Sequence, residues 1–286
     1  MDNRILLRGR TIKLNAVQNV AAARTASMRE RKGFLYKHLF IAFAGVTVAQ
    51  MTEIRVLAND KVIMRGDGDY FASIAFYENF DDADTTGILP VSFVRPDMKT
   101  PDGEALTGIN VGSVDGNGFA VAELSVEIDI AAGAAAPKLD IFADISDPLP
   151  GGPGLIRRVS KFSRAAPVVG QNDISDLALL GQKVTTRLFL NRLTLRLDPA
   201  LIKEFRLMNN GREELRSTPA INEVTQRRDR RVPVAGYTII DPSQAGLSGN
   251  FFNLATPLEE FRLELTLQGA LPAAFDYFAE FIGALE

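Results

Sequence analysis

The residue types that do most protein chemistry are scarce in this chain. Cysteine is absent and His38 is the sole histidine. Thiolate nucleophiles, disulfide frameworks, thiolate metal sites and multi-histidine metal centres are thereby excluded. His38 sits in the apolar run Phe34–Phe43, where a lone strand histidine serves packing or a surface rather than proton transfer. Carboxylates are plentiful, but Glu123, Glu127 and Asp129 alternate with apolar residues and read as one solvated strand face. The run Gly151-Gly152-Pro153-Gly154 lacks the Gly-Lys-Ser/Thr ending of a phosphate loop. No catalytic residue emerges, and the chain is not expected to be an enzyme.

Two acidic clusters, Asp67-Gly68-Asp69 and Asp81-Asp82-Ala83-Asp84, have oxygens that calcium could use. Neither has the spacing of a helix-loop-helix calcium loop. Helix capping accounts for Asp67 and Asp69, and a solvated turn for the second cluster. The basic cluster Arg227-Arg228-Asp229-Arg230-Arg231 has no interleaved aromatic residue, so it is no single-strand stacking platform. A helix C-terminus favours such charge, and salt bridging between subunits is the functional alternative.

The strongest charge signal is N-terminal. Arg4, Arg8, Arg10, Lys13, Arg24, Arg29, Arg31 and Lys32 face only Asp2 and Glu30, a local net charge of +6 in a chain of −3. Such polarity suits a basic end turned toward phosphate or lipid head groups, or a basic edge strand. Arg4, Arg8, Arg10 and Lys13 are the candidate contacts.

The elements that must position these residues are mostly strands. Glu123–Ile130 and Arg262–Leu267 alternate polar and apolar residues without a break, and Leu39–Phe43 and Leu193–Leu197 also read as strands. Glu53–Leu57 and Val62–Arg65 flank an Asn59-Asp60 corner, and Glu204–Met208 and Arg212–Arg216 flank Asn210-Gly211. Both read as hairpins. Helices are expected over Asp69–Asn79 and over Pro219–Arg228, the second with Thr218 as N-cap and proline in the first helical position.

Each helix follows a hairpin, and the coincidence extends into an ordered repeat. Glu53-Ile54-Arg55-Val56-Leu57 matches Glu204-Phe205-Arg206-Leu207-Met208, and Met64-Arg65 matches Leu215-Arg216. Glu123–Ile128 then matches Glu260–Leu265, and Asp140–Ile145 matches Asp276–Phe281. Three windows in one order indicate duplication. Residues 149–154 form a Pro/Gly divider between a first domain over 1–148, which carries the basic segment, and a second over 155–286. At 286 residues, 46% hydrophobic and 23% charged, the chain can fill two such cores. Many short strands with few helices give an all-β chain of two tandem sandwiches or jelly rolls. The start lacks an apolar signal core and no run approaches the roughly 18 residues of a spanning helix, so the chain is expected to be made and kept in the cytosol, or in something assembled there.

Two tandem β-domains on one chain resemble the double jelly-roll major capsid proteins of icosahedral viruses. The hairpin Glu53–Ile63 is similar to the corresponding segment of the corticovirus coat protein, from tail-less phages with an internal membrane, and the likeness is best over residues 34–145. Asp60 departs from the glycine expected at that corner. The resemblance implies a homotrimer of six rolls forming a pseudo-hexagonal tile, contacts with neighbouring capsomers and with penton and minor capsid proteins, and a virion built in the host cytoplasm. It also implies an inner face above membrane lipid or packaged genome, which Arg4, Arg8, Arg10 and Lys13 would meet. No cofactor or small-molecule substrate is implied, and structural calcium stays open. The alternative is a tandem β-sandwich binding module for carbohydrate or a receptor, although the chain has no Trp and five Tyr for a sugar platform.

Overall fold

Left-handed turn residues set the chain's reversals. Asn59 and Asp60 have φ of 49° and 62°, and Asn210 and Gly211 have 48° and 75°. These are the positive angles that a two-residue hairpin needs and that Asn, Asp and Gly adopt at least cost. The computed structural model describes residues 9–94, 103, 106–175, 189–242, 252–254 and 261–285. It divides into two compact units between Arg158 and Val159.

The first unit contains β1 (Arg10–Lys13), β2 (Thr25–Glu30), β3 (Leu35–Ala44), β4 (Met51–Ala58), β5 (Lys61–Gly66), α1 (Gly68–Tyr77), α2 (Ala83–Thr86), β6 (Ile88–Ser92), β7 (Ile109–Asn110), β8 (Leu124–Ile130) and β9 (Lys138–Ser146). Its strands hydrogen-bond in the orders β1-β9-β3-β6 and β2-β8-β4-β5. Then follow β10 (Leu155–Ala165), which spans the division, β11 (Gly170–Ile174), β12 (Phe189–Leu195), β13 (Ile202–Asn209), β14 (Arg212–Ser217), α3 (Pro219–Arg228), β15 (Thr238–Ile240), the short β16 (Phe252–Asn253), β17 (Phe261–Leu267) and β18 (Ala274–Ala284). Here the orders are β10-β18-β12-β15 and β11-β17-β13-β14. The two sets of orders are the same, strand for strand, and the pairings are antiparallel jelly-roll pairings.

Register carries the duplication further. Arg55 opposes Glu127 and Arg65, as Arg206 opposes Glu264 and Arg216. Register shifts fall between Val56 and Leu57 and between Leu207 and Met208, between Met51 and Glu53 and between Ile202 and Glu204, and between Tyr36 and His38 and between Leu190 and Arg192. Each pair is the same position of the repeat. The three repeated windows therefore occupy equivalent strands, although Glu260 lies outside the described residues. A bulge re-aims every side chain beyond it, so its retention keeps the apolar face pointed inward.

Each unit has its own core. Leu39, Ile41, Ile54, Val56, Val126, Ile128, Ile141 and Ala143 fill the first. Leu193, Phe205, Leu207, Leu263, Leu265, Tyr277 and Phe281 fill the second. Helix α1 starts one residue before the expected Asp69, because the Asp67 carboxylate caps it by accepting from the Tyr70 N–H at 2.9 Å. It ends before Asn79, which turns left-handed at φ 69°. Helix α3 has the expected bounds and its Thr218 cap. The solvated turn expected at Asp81–Asp84 is instead the start of α2. The Asp82 side chain accepts from the Asp84 N–H and so nucleates a helical turn. Strand β12 ends at Leu195 rather than Leu197.

Candidate assembly surfaces

Many of the charged residues singled out in the sequence lie on three surfaces. The first is strand β1. Arg10 lies over the Phe34 ring, 5.1 Å from its centre, which is cation–π range. Lys13 pairs with Asp140 at 2.9 Å and lies 5.8 Å from the Phe142 ring centre. Arg4 and Arg8 lie outside the described residues.

The second surface is a polar cleft of about 420 Å³ lined by Asn15, Arg29, Glu30, Arg31, Lys32 and Glu123. Arg31 Nε donates to Glu123 at 2.7 Å, and Arg29 stands 3.2 Å from the same carboxylate. The Arg31 hydrogen bond, the largest influence, holds the Glu123 carboxyl below the usual carboxylate range despite its burial. Lys32 pairs with Glu30 at 3.7 Å. Much of the basic N-terminal charge is thus met by carboxylates of the chain itself.

The third surface is duplicated, on the solvent sides of β4 and β13. Arg55 donates to Glu53 at 2.6 Å and to Glu127 at 2.9 Å, and stands 3.3 Å from Asp129. Arg65 reaches the other oxygen of Glu53 at 2.9 Å. In the second unit Arg206 donates to Glu204 at 2.6 Å and Arg216 reaches its other oxygen at 2.8 Å, while Arg262 pairs with Glu264. Burial pushes the Glu53 carboxyl up, but hydrogen bonds from Arg65 and Arg55 outweigh it and hold it below the ordinary range. Hydrogen bonds from Arg216 and then Arg206 do the same for Glu204. The free solvated face expected of Glu123, Glu127 and Asp129 is corrected accordingly. Glu123 is buried, and all three carboxylates are engaged by arginines from neighbouring strands.

His38 lies half-buried on the outward side of β3, its Nδ1 3.0 Å from the Ser92 hydroxyl and its ring beside Phe40 and Phe80. Burial lowers its pKa below 6.5, and the charges of Asp144 and Glu78 offset this only in part. It is a packed strand residue whose ring meets Ser92, Phe40 and Phe80. Arg227 and Arg228 close the last turn of α3, as helix electrostatics favour, and Arg228 pairs with Asp229 at 3.0 Å.

Sequence reasoning missed two buried ion pairs. Arg157 meets Glu78 at 2.8 Å, and Arg192 meets Glu280 at 2.9 Å, with every side chain no more than 3% exposed. For Glu280, a charge among apolar strand neighbours was the available signal, since a buried charge requires a partner; Arg157, in a basic strand, and Glu78, at a helix end, offered none. The identity of that partner depends on the fold. Among the described residues no group of three or more His, Asp or Glu could hold a metal ion.

With two equivalent rolls established, comparison with known proteins is decisive. Residues 11–146 match the model of the viral coat protein P2 N-terminal domain, and residues 156–285 match that of its C-terminal domain. The chain belongs to the viral coat protein P2 family. Its fold is similar to that of the major capsid protein P2 of bacteriophage PM2, with a TM-score of 0.82 and 18% identity over 98% of each chain. The PBCV-1 virus capsid protein matches with a TM-score of 0.66 and 11% identity, over 96% of this chain and 93% of that one. The major capsid protein of STIV matches with a TM-score of 0.62 and 11% identity, over 96% of each chain. No curated protein sequence matches the chain. The double jelly roll and the structural coat role are thereby shown, and the P2 matches favour a virion coat component over a tandem carbohydrate- or receptor-binding module.

Proposed function

We propose that this P2-family coat protein is the major subunit of an icosahedral shell, assembling as a homotrimer whose six rolls make a pseudo-hexagonal tile. The observation that carries the reading is the match of both rolls to the two coat domains, on a chain whose rolls share strand order, register and bulges. Two similar rolls per chain give six similar units per trimer, which suits a hexagonal net. Such tiles would then meet neighbouring capsomers, penton and minor capsid proteins. Size-exclusion chromatography with light scattering tests the tile. A trimer is expected, and a monomer under every assembly condition counts against it.

The basic N-terminal segment is proposed to face an anionic layer, either membrane lipid or packaged genome. The support is its net charge of +6 and the exposure of Arg10. Lys13, already paired with Asp140, would contribute least. A basic side chain near an anionic surface contributes about 1 kcal/mol. Replacing Arg4, Arg8, Arg10 and Lys13 with Gln should keep trimers intact while weakening binding to phosphatidylglycerol vesicles or DNA, and added salt should weaken the wild type likewise. Trimers that dissociate with vesicle binding unchanged would show that the segment joins subunits instead.

A further inference from the structure

The duplication gives each unit the same two outward features, a helix after its hairpin and an outer sheet face, yet their burial differs. In α1, Tyr70, Phe71, Ile74, Ala75 and Tyr77 are buried. In its counterpart α3 only Asn222 and Gln226 are buried, both anchored to the Ile239 carbonyl at 2.8 Å. Ile221 and Val224, one turn apart, stay 61% and 67% exposed. The sheet faces show the reverse. Phe278 and Glu280 of β18 are 0% and 1% exposed. Their counterparts on β9, Phe142 and Asp144, are only half-buried. Two of the four equivalent surfaces are therefore covered. The two left open are the helix of the second unit and the sheet face of the first.

The open surfaces have complementary chemistry. The face of the first unit forms an apolar groove of about 440 Å³ lined by Phe40, Ala42, Phe80, Ile88, Pro90 and Phe142. Three of its lining residues are phenylalanines, and Ile88 stands 43% exposed. Asp81, Thr11 and Thr86 also line it, Asp82 and Asp84 next to Asp81 in sequence are exposed, and Lys13, paired with Asp140, lies over Phe142. On α3 the exposed pair Ile221 and Val224 is followed along the helix by Arg227 and Arg228, whose side chains stay 67% and 64% exposed although they pair locally with Glu223 and Asp229. An apolar ridge ending in positive charge thus has its match in an apolar groove ending in negative charge.

We propose that α3 of one copy docks in the Phe40–Phe142–Ile88 groove of a second copy, with Arg227 and Arg228 against the acidic edge at Asp81. The occupant is a second copy because helix and groove are both exposed within the chain and because a coat protein assembles from identical subunits. Each chain offers one ridge and one groove, so the contact runs head to tail, and a threefold rotation between copies would close it as the trimer's ring. The inference rests on the coat-protein reading above and names the surfaces that would join its subunits.

The cysteine-free sequence permits a direct test. In an Ile88→Cys/Val224→Cys variant, oxidation should yield covalent dimers and a closed covalent trimer on non-reducing gels, while either single variant should not give the trimer. Separately, Arg227→Glu/Arg228→Glu should weaken assembly about tenfold or more, and adding Asp81→Arg should restore part of it. Circular dichroism and melting curves like those of the wild type would confirm that these exposed substitutions leave the rolls folded. A trimer that neither cross-links nor responds to charge reversal overturns the proposed contact while leaving the coat reading intact, as does a cross-link confined to single chains. A wild-type chain that never leaves the monomer removes both.

Discussion

The same repeat position holds different chemistry in the two rolls. On the first, His38 opposes Asp144; on the second, Arg192 opposes Glu280. The second pair is buried and joined at 2.9 Å, with Asn191 also donating to the Glu280 carboxylate. The first pair is half-exposed, and Lys37 stands 3.6 Å from Asp144. One backbone position therefore carries a full ion pair where it is closed to water, whereas in the more open roll the carboxylate pairs with Lys37 and the imidazole meets Ser92. Charge removed from water needs a strong partner, whereas charge at the surface does not. Duplication has kept the strand order and bulges and let the outer faces diverge.

The sharpest way to break this comparison is to remove one charge from each pair. Arg192→Ala should destabilise the protein by about 3–5 kcal/mol in urea unfolding, because Glu280 stays buried without its main counter-charge. Asp144→Ala should cost less, about 1–3 kcal/mol, because its own carboxylate is partly solvated although its partner Lys37 is buried. Equal losses would mean that burial does not separate the two rolls in this way.

A smaller contrast lies in the helix caps. Asp67 accepts the Tyr70 N–H at 2.9 Å in a buried setting, whereas Thr218 accepts the Ile221 N–H at a long 3.4 Å in an exposed one. Asp67→Ala is expected to cost about 1–2 kcal/mol and Thr218→Ala about 0.5 kcal/mol in denaturant melts. A larger loss at Thr218 would reverse the reading that α1 is the more tightly built helix.

The smallest expected effect is a pH dependence confined to the first roll. Burial depresses the His38 pKa, so the unfolded chain binds its proton more readily than the folded one. Stability from this group is complete above the unfolded value of 6.5 and declines as pH falls from there toward the lower folded value. Glu53, Glu123 and Glu204, held below 4.5, lose their contribution only at lower pH. Melting temperatures recorded from pH 7.5 down to about 5 should fall in the wild type and fall less in His38→Gln. An identical slope in both would assign the effect elsewhere.

Much of the architecture was legible in the sequence because the forces that set it are local. Unbroken alternation over Glu123–Ile130 and Arg262–Leu267 leaves one apolar face to bury, which makes β8 and β17. Asn59-Asp60 and Asn210-Gly211 pay little for positive φ, so both hairpins turn where expected. Thr218-Pro219 starts α3 for equally local reasons. The ordered repeat foretold two like rolls without any contact being known.

Tertiary structure alone decided which charges meet. Arg192 and Glu280 are 88 residues apart, and Arg55 and Glu127 are 72 apart; only strand order and bulge position bring them together. Composition showed an acidic chain with a basic start. Register turned the carboxylates Glu123, Glu127 and Asp129 into arginine partners. The sequence by itself thus determined two β-rolls and where each turns. Folding determined which surfaces were covered and which stayed open, because burial depends on neighbours distant in the chain, and no local pattern encodes them.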